Sequence, residues 1–319
     1  MTYPYIVRRL LQSIIVLILV SMIVFGLMRL LPGDPILIYV TQGNLESSTQ
    51  EQIDLLRKEF GLDKSIPVQY VNWIAKVIRG DLGKSILHRD SVSGEIARRL
   101  PITFFLGMLA FVISVLIGIP AGIISATRRG RWLDTTVTTL ANIGITVPIF
   151  WLGILLIYFF ALYLGWLPVF GYTSPFEDFW LSIKQVIMPV VCLSVFAIAS
   201  NARQARSSML EVIRQDYIRT AWSKGLRERS VILRHALKNA LIPVVTLIGM
   251  MVRNIFGGSV LIETVFTIPG MGRLAVEGIL GKDYQVVQGC VLITALIVLA
   301  SNLVVDISYG WLDPRIRYK

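Results

Sequence analysis

The chain has 319 residues, enough for two average soluble domains, yet 55% of them are hydrophobic and only 16% are charged. A soluble domain carries about 25% charged residues, so this chain lacks the polar surface to cover its own apolar mass in water. That argues against a soluble enzyme and against a disordered or fibrous chain. The net charge is +11, from 31 Lys and Arg against 20 Asp and Glu, and two Cys with two His are too few for a disulfide framework, an iron–sulfur cluster or a typical zinc site. Cys192 and Cys290 sit in apolar runs and read as buried thiols.

A helical span needs about 20 mostly apolar residues. The first charge-free run is Leu10–Met28, flanked by Arg8, Arg9 and Arg29. It is longer than the apolar core of a signal peptide, and no small-residue cleavage pattern follows it, so a retained helix is expected. Pro32-Gly33-Asp34-Pro35 then reads as a turn out of the membrane. The next segment, Pro32–Leu100, is too polar for lipid. "SSTQEQIDLLRKEFGL" offers a Ser/Thr cap, then Ile53, Leu55, Leu56 and Phe60 at helical spacing before Gly61. "VQYVNWIAKVIRGDLG" repeats the design, with Tyr70, Trp73, Ile74 and Val77 on one face. Two short amphipathic helices are expected, lying on the outer membrane surface or against the spans. His88 stands alone here and forms no pair with His235.

The second span is Phe104–Ala126, closed by Arg128, Arg129 and Arg131. No charge falls between Asp134 and Glu177, and Val137–Leu164 is expected to form one helix with an interfacial tail. Gln185–Ala202 is the fourth span, Asn239–Ile262 the fifth, interrupted by Arg253, and Tyr284–Val305 the sixth. Pro120, Pro148, Pro189 and Pro243 fall one each within spans two to five, where proline removes a backbone hydrogen bond and bends a helix. Bends around a cavity suit a transporter; ordinary packing kinks would look the same.

With the N-terminus inside, the cytoplasmic segments hold 17 of the 31 basic residues and five acids, whereas Pro32–Leu100 holds nine of each. Both termini are therefore expected in the cytoplasm, and the basic excess follows from topology. The chain divides into a first helix (1–31), an external segment (32–100) and a core (101–319).

The loop Ser200–Lys238 carries nine basic and three acidic residues. Topology explains that charge, but not the pattern "DYIRTAWSKGLRERSVILRHALKNALIP" from Asp216 to Pro243. Asp216 can cap a short helix whose turns align Tyr217, Ala221 and Gly225. Ala221 and Gly225 are small, so another surface could approach that face. Gly225 can end the helix with positive φ. A second amphipathic helix with Val231, Ile232, Leu233 and Leu237 follows. A stubby helix offered toward the cytosol is built to dock in a partner's groove.

This segment resembles the cytoplasmic motif of ABC-type importer permeases in the form of the peptide/nickel family. The family's Y-I-R-T-A-x-x-K-G stands here as Tyr217 to Gly225, and H-A-L-x-N-A-x-x-P-V-V-T as His235 to Thr246. The general importer motif begins Glu-Ala-Ala and places its proline 13 residues after the glycine; here Arg219-Thr220-Ala221 begins it and Pro243 follows Gly225 by 18, as in the peptide/nickel subset. Arg8–Pro35, Ser207–Tyr217, Glu263–Leu274 and Lys282–Gly289 resemble the same family. The resemblance implies an all-α, six-span permease working with a second, homologous permease (a heterodimer), two cytosolic ABC ATPase subunits and an external solute-binding protein, in a prokaryotic cytoplasmic membrane. Tyr217, Arg219, Thr220, Ala221, Lys224 and Gly225 would make the ATPase-coupling surface.

No G-x-x-x-x-G-K-[ST] loop is present, so ATP and Mg²⁺ are expected in the partner subunits and no cofactor or metal in this chain. Pro269-Gly270-Met271-Gly272 lacks the preceding strand and third glycine of a nucleotide loop. Arg253, costly in mid-bilayer, must face protein or water: either on the translocation path near a peptide carboxylate, or in a structural ion pair or carbonyl clamp. Glu263, at the outer end of the same span, could meet a substrate amine or gate a loop. A secondary transporter or channel is the competing reading, but no internal repeat and no mid-span acid supports it. An intramembrane enzyme lacks a nucleophile–base pair. Substrates of the resembling family are di- and oligopeptides, glutathione-like peptides, nickel chelates and oligosaccharides; short peptides are the expectation here.

Overall fold

The structure, a computed structural model, describes residues 3–30, 32–42, 50–252 and 255–312. Among them there is no strand, only an isolated bridge between Lys84 and Ser91. In chain order the helices are α1 (Tyr3–Leu30), α2 (Pro35–Gln42), α3 (Gln50–Glu59), α4 (Ile66–Ile78), α5 (Val92–Thr127), α6 (Trp132–Thr146), α7 (Ile149–Leu156, continued as a π-helix over Ile157–Tyr163), α8 (Phe179–Ile213), α9 (Asp216–Ser223), α10 (Glu228–Ser230, continued as a π-helix over Val231–Ala236), α11 (Leu237–Val252), α12 (Ile255–Val265), α13 (Met271–Leu280) and α14 (Tyr284–Leu312).

Among the described residues, four helices are long and apolar enough to cross a membrane: Val7–Leu30, Val92–Thr127, Phe179–Ile213 and Tyr284–Val305. A fifth crossing exists if α6 and α7 count together, and here one expectation is corrected. Val137–Leu164 is not one helix, because the chain bends by 104° between α6 and α7. Pro148 has no N–H, and its ring forces Val147 out of the helical region, to φ −70° and ψ 125°. Val147 N–H still donates to the Ile143 carbonyl at 3.0 Å, closing α6, and the Pro148 carbonyl opens α7 by accepting from Leu152 N–H at 3.0 Å. The fifth expected span is occupied by α11 and α12. Residues 253 and 254 between them, Arg253 included, lie outside the described residues, as do the cap candidates at 47–49 and the C-terminal tail.

The chain folds as two compact units, Met1–Thr103 with Pro269–Lys319, and Phe104–Ile268. In the first, α1 and α14 pack antiparallel. Phe25, Trp73, Leu82, Val92, Met271 and Val286 share one buried cluster, with Tyr70, Ile74 and Val77 against it. The apolar face read on α4 is thus the packed face. Phe25 meets Tyr70 edge-on at 5.3 Å and Trp73 at 5.8 Å, and Tyr70 Oη shares a 2.9 Å hydrogen bond with Ser21 Oγ. At the expected exit turn, Asp34 Oδ1 caps α2 by accepting from Ile36 N–H at 2.8 Å, and Asp34 pairs with Arg57 of α3 at 2.6 Å. Asp283, fully buried, accepts from Ser85 Oγ, from Leu87 N–H at 3.3 Å and from Val286 N–H at 3.3 Å, joining the start of α14 to the loop before α5. Cys290 is buried in this unit and Cys192 in the other.

The second unit is built on α8, which packs against α6, α7, α11 and α12. Asp178 caps its start by accepting from Leu181 N–H at 2.9 Å. The helix outruns its apolar stretch and continues to Ile213, because Ala202, Ala205, Ser208 and Met209 stay buried on one face while charged residues occupy the other. Gly118 and Gly122 let α5 cross α8 at backbone contact. A Cβ on Gly122 would lie 2.3 Å from the Ala202 carbonyl oxygen, and one on Gly118 would lie 2.7 Å from that of Ile198.

Candidate coupling surface

Within the second unit, α9 begins after Gln215, which is extended at φ −70° and ψ 149°; Asp216 is the first helical residue and not the cap expected of it. From the first turn its carboxylate still faces the positive end of the helix, and it lies 3.6 Å from Arg219 on an exposed surface. Lys224 closes the helix, and Gly225 follows at φ +75°, where a side chain would be strained. This matches the expected stop.

The buried face differs from the one read in the sequence. Ile218 (0% exposed) and Ala221 (6%) point into a cluster with Ala126, Met209, Val231 and Ala236. Ala221 is small because the protein's own α10–α11 segment and the end of α5 approach it, not because a partner does. Gly225 has open space around its Cα, so its role is conformational. The outward face holds Tyr217 (43% exposed), Arg219, Thr220, Trp222 (42%), Lys224 and Leu226. Tyr217 is held on its flank, its Oη accepting from Asn239 Nδ2 of α11 at 2.7 Å. Sequence reasoning passed over Ile218 and Trp222, although the i, i+3 pair Ile218–Ala221 opposite a run of polar residues marks the anchoring face.

It also counted Asp134 only as a loop charge. Asp134, buried in the first turn of α6, accepts from Arg206 Nε at 2.7 Å and Arg206 Nη2 at 3.1 Å. Ser125 Oγ at 2.6 Å, Gly130 N–H at 2.9 Å and Thr138 Oγ1 at 3.4 Å also donate to it. A two-point Arg–carboxylate contact with both oxygens otherwise satisfied ties α5, α6 and α8 together just before the coupling segment.

Of the pair suggested for a translocation path, Arg253 lies outside the described residues. Glu263, on α12, is fully buried, and its backbone carbonyl accepts from Ile268 N–H at 2.8 Å. A separate cavity of about 350 Å³ opens beside the α6–α7 bend, lined by Phe111, Ser114, Val147, Ile149, Phe196 and Met251 among others. Asn201 of α8 holds its one polar wall residue, donating to the Ser114 carbonyl at 3.3 Å and to Ser114 Oγ at 3.4 Å. No group of three His, Cys, Asp or Glu able to hold a metal occurs among the described residues.

Long apolar helices and a sharply broken one make this a multi-pass membrane protein by length and composition. Comparison with known proteins makes this specific. Residues 118–318 match the family described as binding-protein-dependent transport system inner membrane component, and residues 2–107 match the N-terminal region described for such membrane components. A Brucella abortus permease named for a peptide transport system is 44% identical over 98% of both chains. A dipeptide transport system permease protein of Alkalihalophilus pseudofirmus is 39% identical over 98% of this chain and 99% of its own. A crystal structure of an amino acid ABC transporter with histidines shares the fold, with TM-score 0.53 and 15% identity over 68% of this chain and 93% of that one. The chain belongs to the binding-protein-dependent transport family of ABC permeases. It is the membrane-spanning subunit, and ATP hydrolysis resides in a separate one.

Proposed function

We propose that this permease forms half of the passage for short peptides in an ATP-driven importer of a prokaryotic cytoplasmic membrane. The substrate follows the printed names of relatives 39 to 44% identical over nearly full length. It pairs with a second, homologous permease, two cytosolic ATPases that bind ATP and Mg²⁺, and an external solute-binding protein. The chain crosses six times with both termini inside; residues 1–31 form the first helix, 32–100 the external segment and 101–319 the core. The α11–α12 segment makes the fifth crossing. Exposed Tyr163, Trp166, Phe176 and Trp180, from the end of α7's π-helical continuation to the first turn of α8, suit the outer membrane interface.

The observation that carries the reading is α9, seated on Ile218 and Ala221, steadied at Tyr217 by Asn239, and otherwise exposed. A closing ATPase pair displaces α9 as a rigid lever. Ile218 and Ala221 pass that displacement to α5, α8 and α11 through the cluster they share, and the Asp134–Arg206 contact carries α6 with α8. Such a lever biases the inward- and outward-open states only if α9 fits the ATPase differently in each. Shape outweighs charge in that fit, since exposed ion pairs contribute only about 0–1 kcal/mol. Arg253, near mid-bilayer, and Glu263, toward the outer end of the same span, are assigned to the passage, Glu263 becoming accessible only when the state changes.

Gly225→Trp tests the docking role. The expected result is normal insertion, with peptide uptake reduced at least tenfold and loss of the ATPase on purification. Normal uptake by this variant overturns the docking role. Uptake by the chain without any ATPase overturns the importer class itself.

A further inference from the structure

We infer that α4 lies in the outer leaflet, with the stripe formed by Val68, Val71, Ala75 and Ile78 sunk among lipid acyl chains. α4 carries three stripes at helical spacing. Tyr70, Trp73, Ile74 and Val77 form the one packed against the protein. Gln69, Asn72 and Lys76, continued by Arg79 just past the helix end, form a polar one. Val68, Val71, Ala75 and Ile78 form the third, which is apolar and uncovered: Val71 is 64% exposed and Ile78 80%. The protein thus covers one apolar side of α4 and leaves another open.

Depth identifies what covers the open side. Gln69 Oε1 accepts from Arg29 Nε at 2.8 Å, Tyr70 Oη shares its hydrogen bond with Ser21 Oγ, and the Trp73 ring lies 5.8 Å from that of Phe25. Leu17, deeper in α1, borders the same cluster as Val77. These partners belong to the apolar stretch Val7–Leu30. α4 therefore stands beside the outer part of that span and not above it. At the same depth α1 turns Met22, Ile23 and Leu27 outward, in a stretch only 11% buried. The open stripe of α4 continues that lipid-facing surface. Its 13 residues reach about 20 Å, too short for a hydrocarbon core of about 30 Å, so α4 lies in the interface and does not cross. Lys76 and Arg79, exposed on the polar stripe, can extend to headgroup phosphates while the aliphatic stripe faces inward, as in an interfacial helix. A protein partner fits the stripe less well, because interfaces gather aromatic residues and Met, and this one is aliphatic throughout. The segment between the first two spans is thereby moored to the membrane at a second point, past its exit turn. The name of the leaflet rests on the orientation proposed above; the lipid contact itself does not.

The test uses the full chain with the subunits that accompany it, in phosphatidylcholine bilayer discs, spin-labelled at Val71→Cys, Ile78→Cys or, as a reference in water, Lys58→Cys on α3. Cys192 and Cys290 are buried and do not compete for the label. Oxygen, which concentrates in hydrocarbon, should relax the labels at 71 and 78 several-fold more, relative to a water-soluble nickel chelate, than the label at 58. Their ratio should approach that of an acyl-chain-labelled lipid in the same discs. A photoactivatable acyl chain should also modify the 68–78 stretch of the unsubstituted chain, which serves if the cysteine variants do not fold. Labels at 71 and 78 that respond as the one at 58 does overturn the proposal, and so does an unmodified 68–78 stretch. Labels shielded from both agents mean that a protein partner covers the stripe, which overturns it too. In sealed vesicles, reaction of the cysteine at 58 with an impermeant reagent from the cytoplasmic side alone would overturn the orientation and leave the lipid contact standing.

Discussion

α4 and α9 are both short amphipathic helices outside the apolar spans, yet they are fastened in opposite ways. α4 drives Trp73 into a cluster with Phe25, adds Tyr70, Ile74 and Val77 along the same face, and hydrogen-bonds through Tyr70 to Ser21. α9 has Ile218 and Ala221 for a base and leaves Tyr217 and Trp222 substantially uncovered. Large aromatics turned inward make a fixed strut; small side chains turned inward and aromatics outward make a surface waiting for a neighbour. The orientation of the aromatic residues, more than the amphipathic pattern, separates a structural helix from a docking one.

The sharpest way to break this contrast is Trp73→Ala. Emptying a fully packed aromatic site is expected to destabilise the first unit by about 3–5 kcal/mol. It should read as a lower melting temperature in detergent and as protease sensitivity of the α3–α4 segment; an unchanged melting temperature would remove the strut. Ile218→Ala should cost less, about 2–3 kcal/mol, since the short helix can settle into part of the space. Here hydrogen exchange should quicken across α9 while α4 keeps its protection, and peptide uptake should fall with it. Gly225→Ala is the mildest change. A methyl group in the left-handed region costs about 1 kcal/mol and meets open space, so the last turn of α9 should fray with no change in overall melting temperature. A global loss of stability would mean that Gly225 is packed.

Much of the architecture is legible in the sequence because charge-free runs bounded by charged residues mark α1, α5, α8 and α14. The bend at Pro148 escapes notice because its surroundings carry no charge for 42 residues; neither charge nor periodicity distinguishes one helix from two halves there. α8 runs to Ile213 because its buried face continues after the charges begin, and a search for apolar runs stops at Ala202. For the docking helix, the motif located α9 and its glycine stop, but the reading of Ala221 as partner-facing failed. A small residue signals close approach without saying from which side. The Asp134–Arg206 contact joins residues 72 positions apart, and nothing in the local pattern of either announces the other.

Where Gly122 meets the Ala202 carbonyl, no side chain or water fits between α5 and α8. Sliding or prying them apart would replace backbone contact with a void, so these two helices travel as a welded pair. Whatever alternation the permease undergoes must pivot at looser seams, of which the Pro148 elbow, with its interrupted ladder of amide bonds, is the nearest.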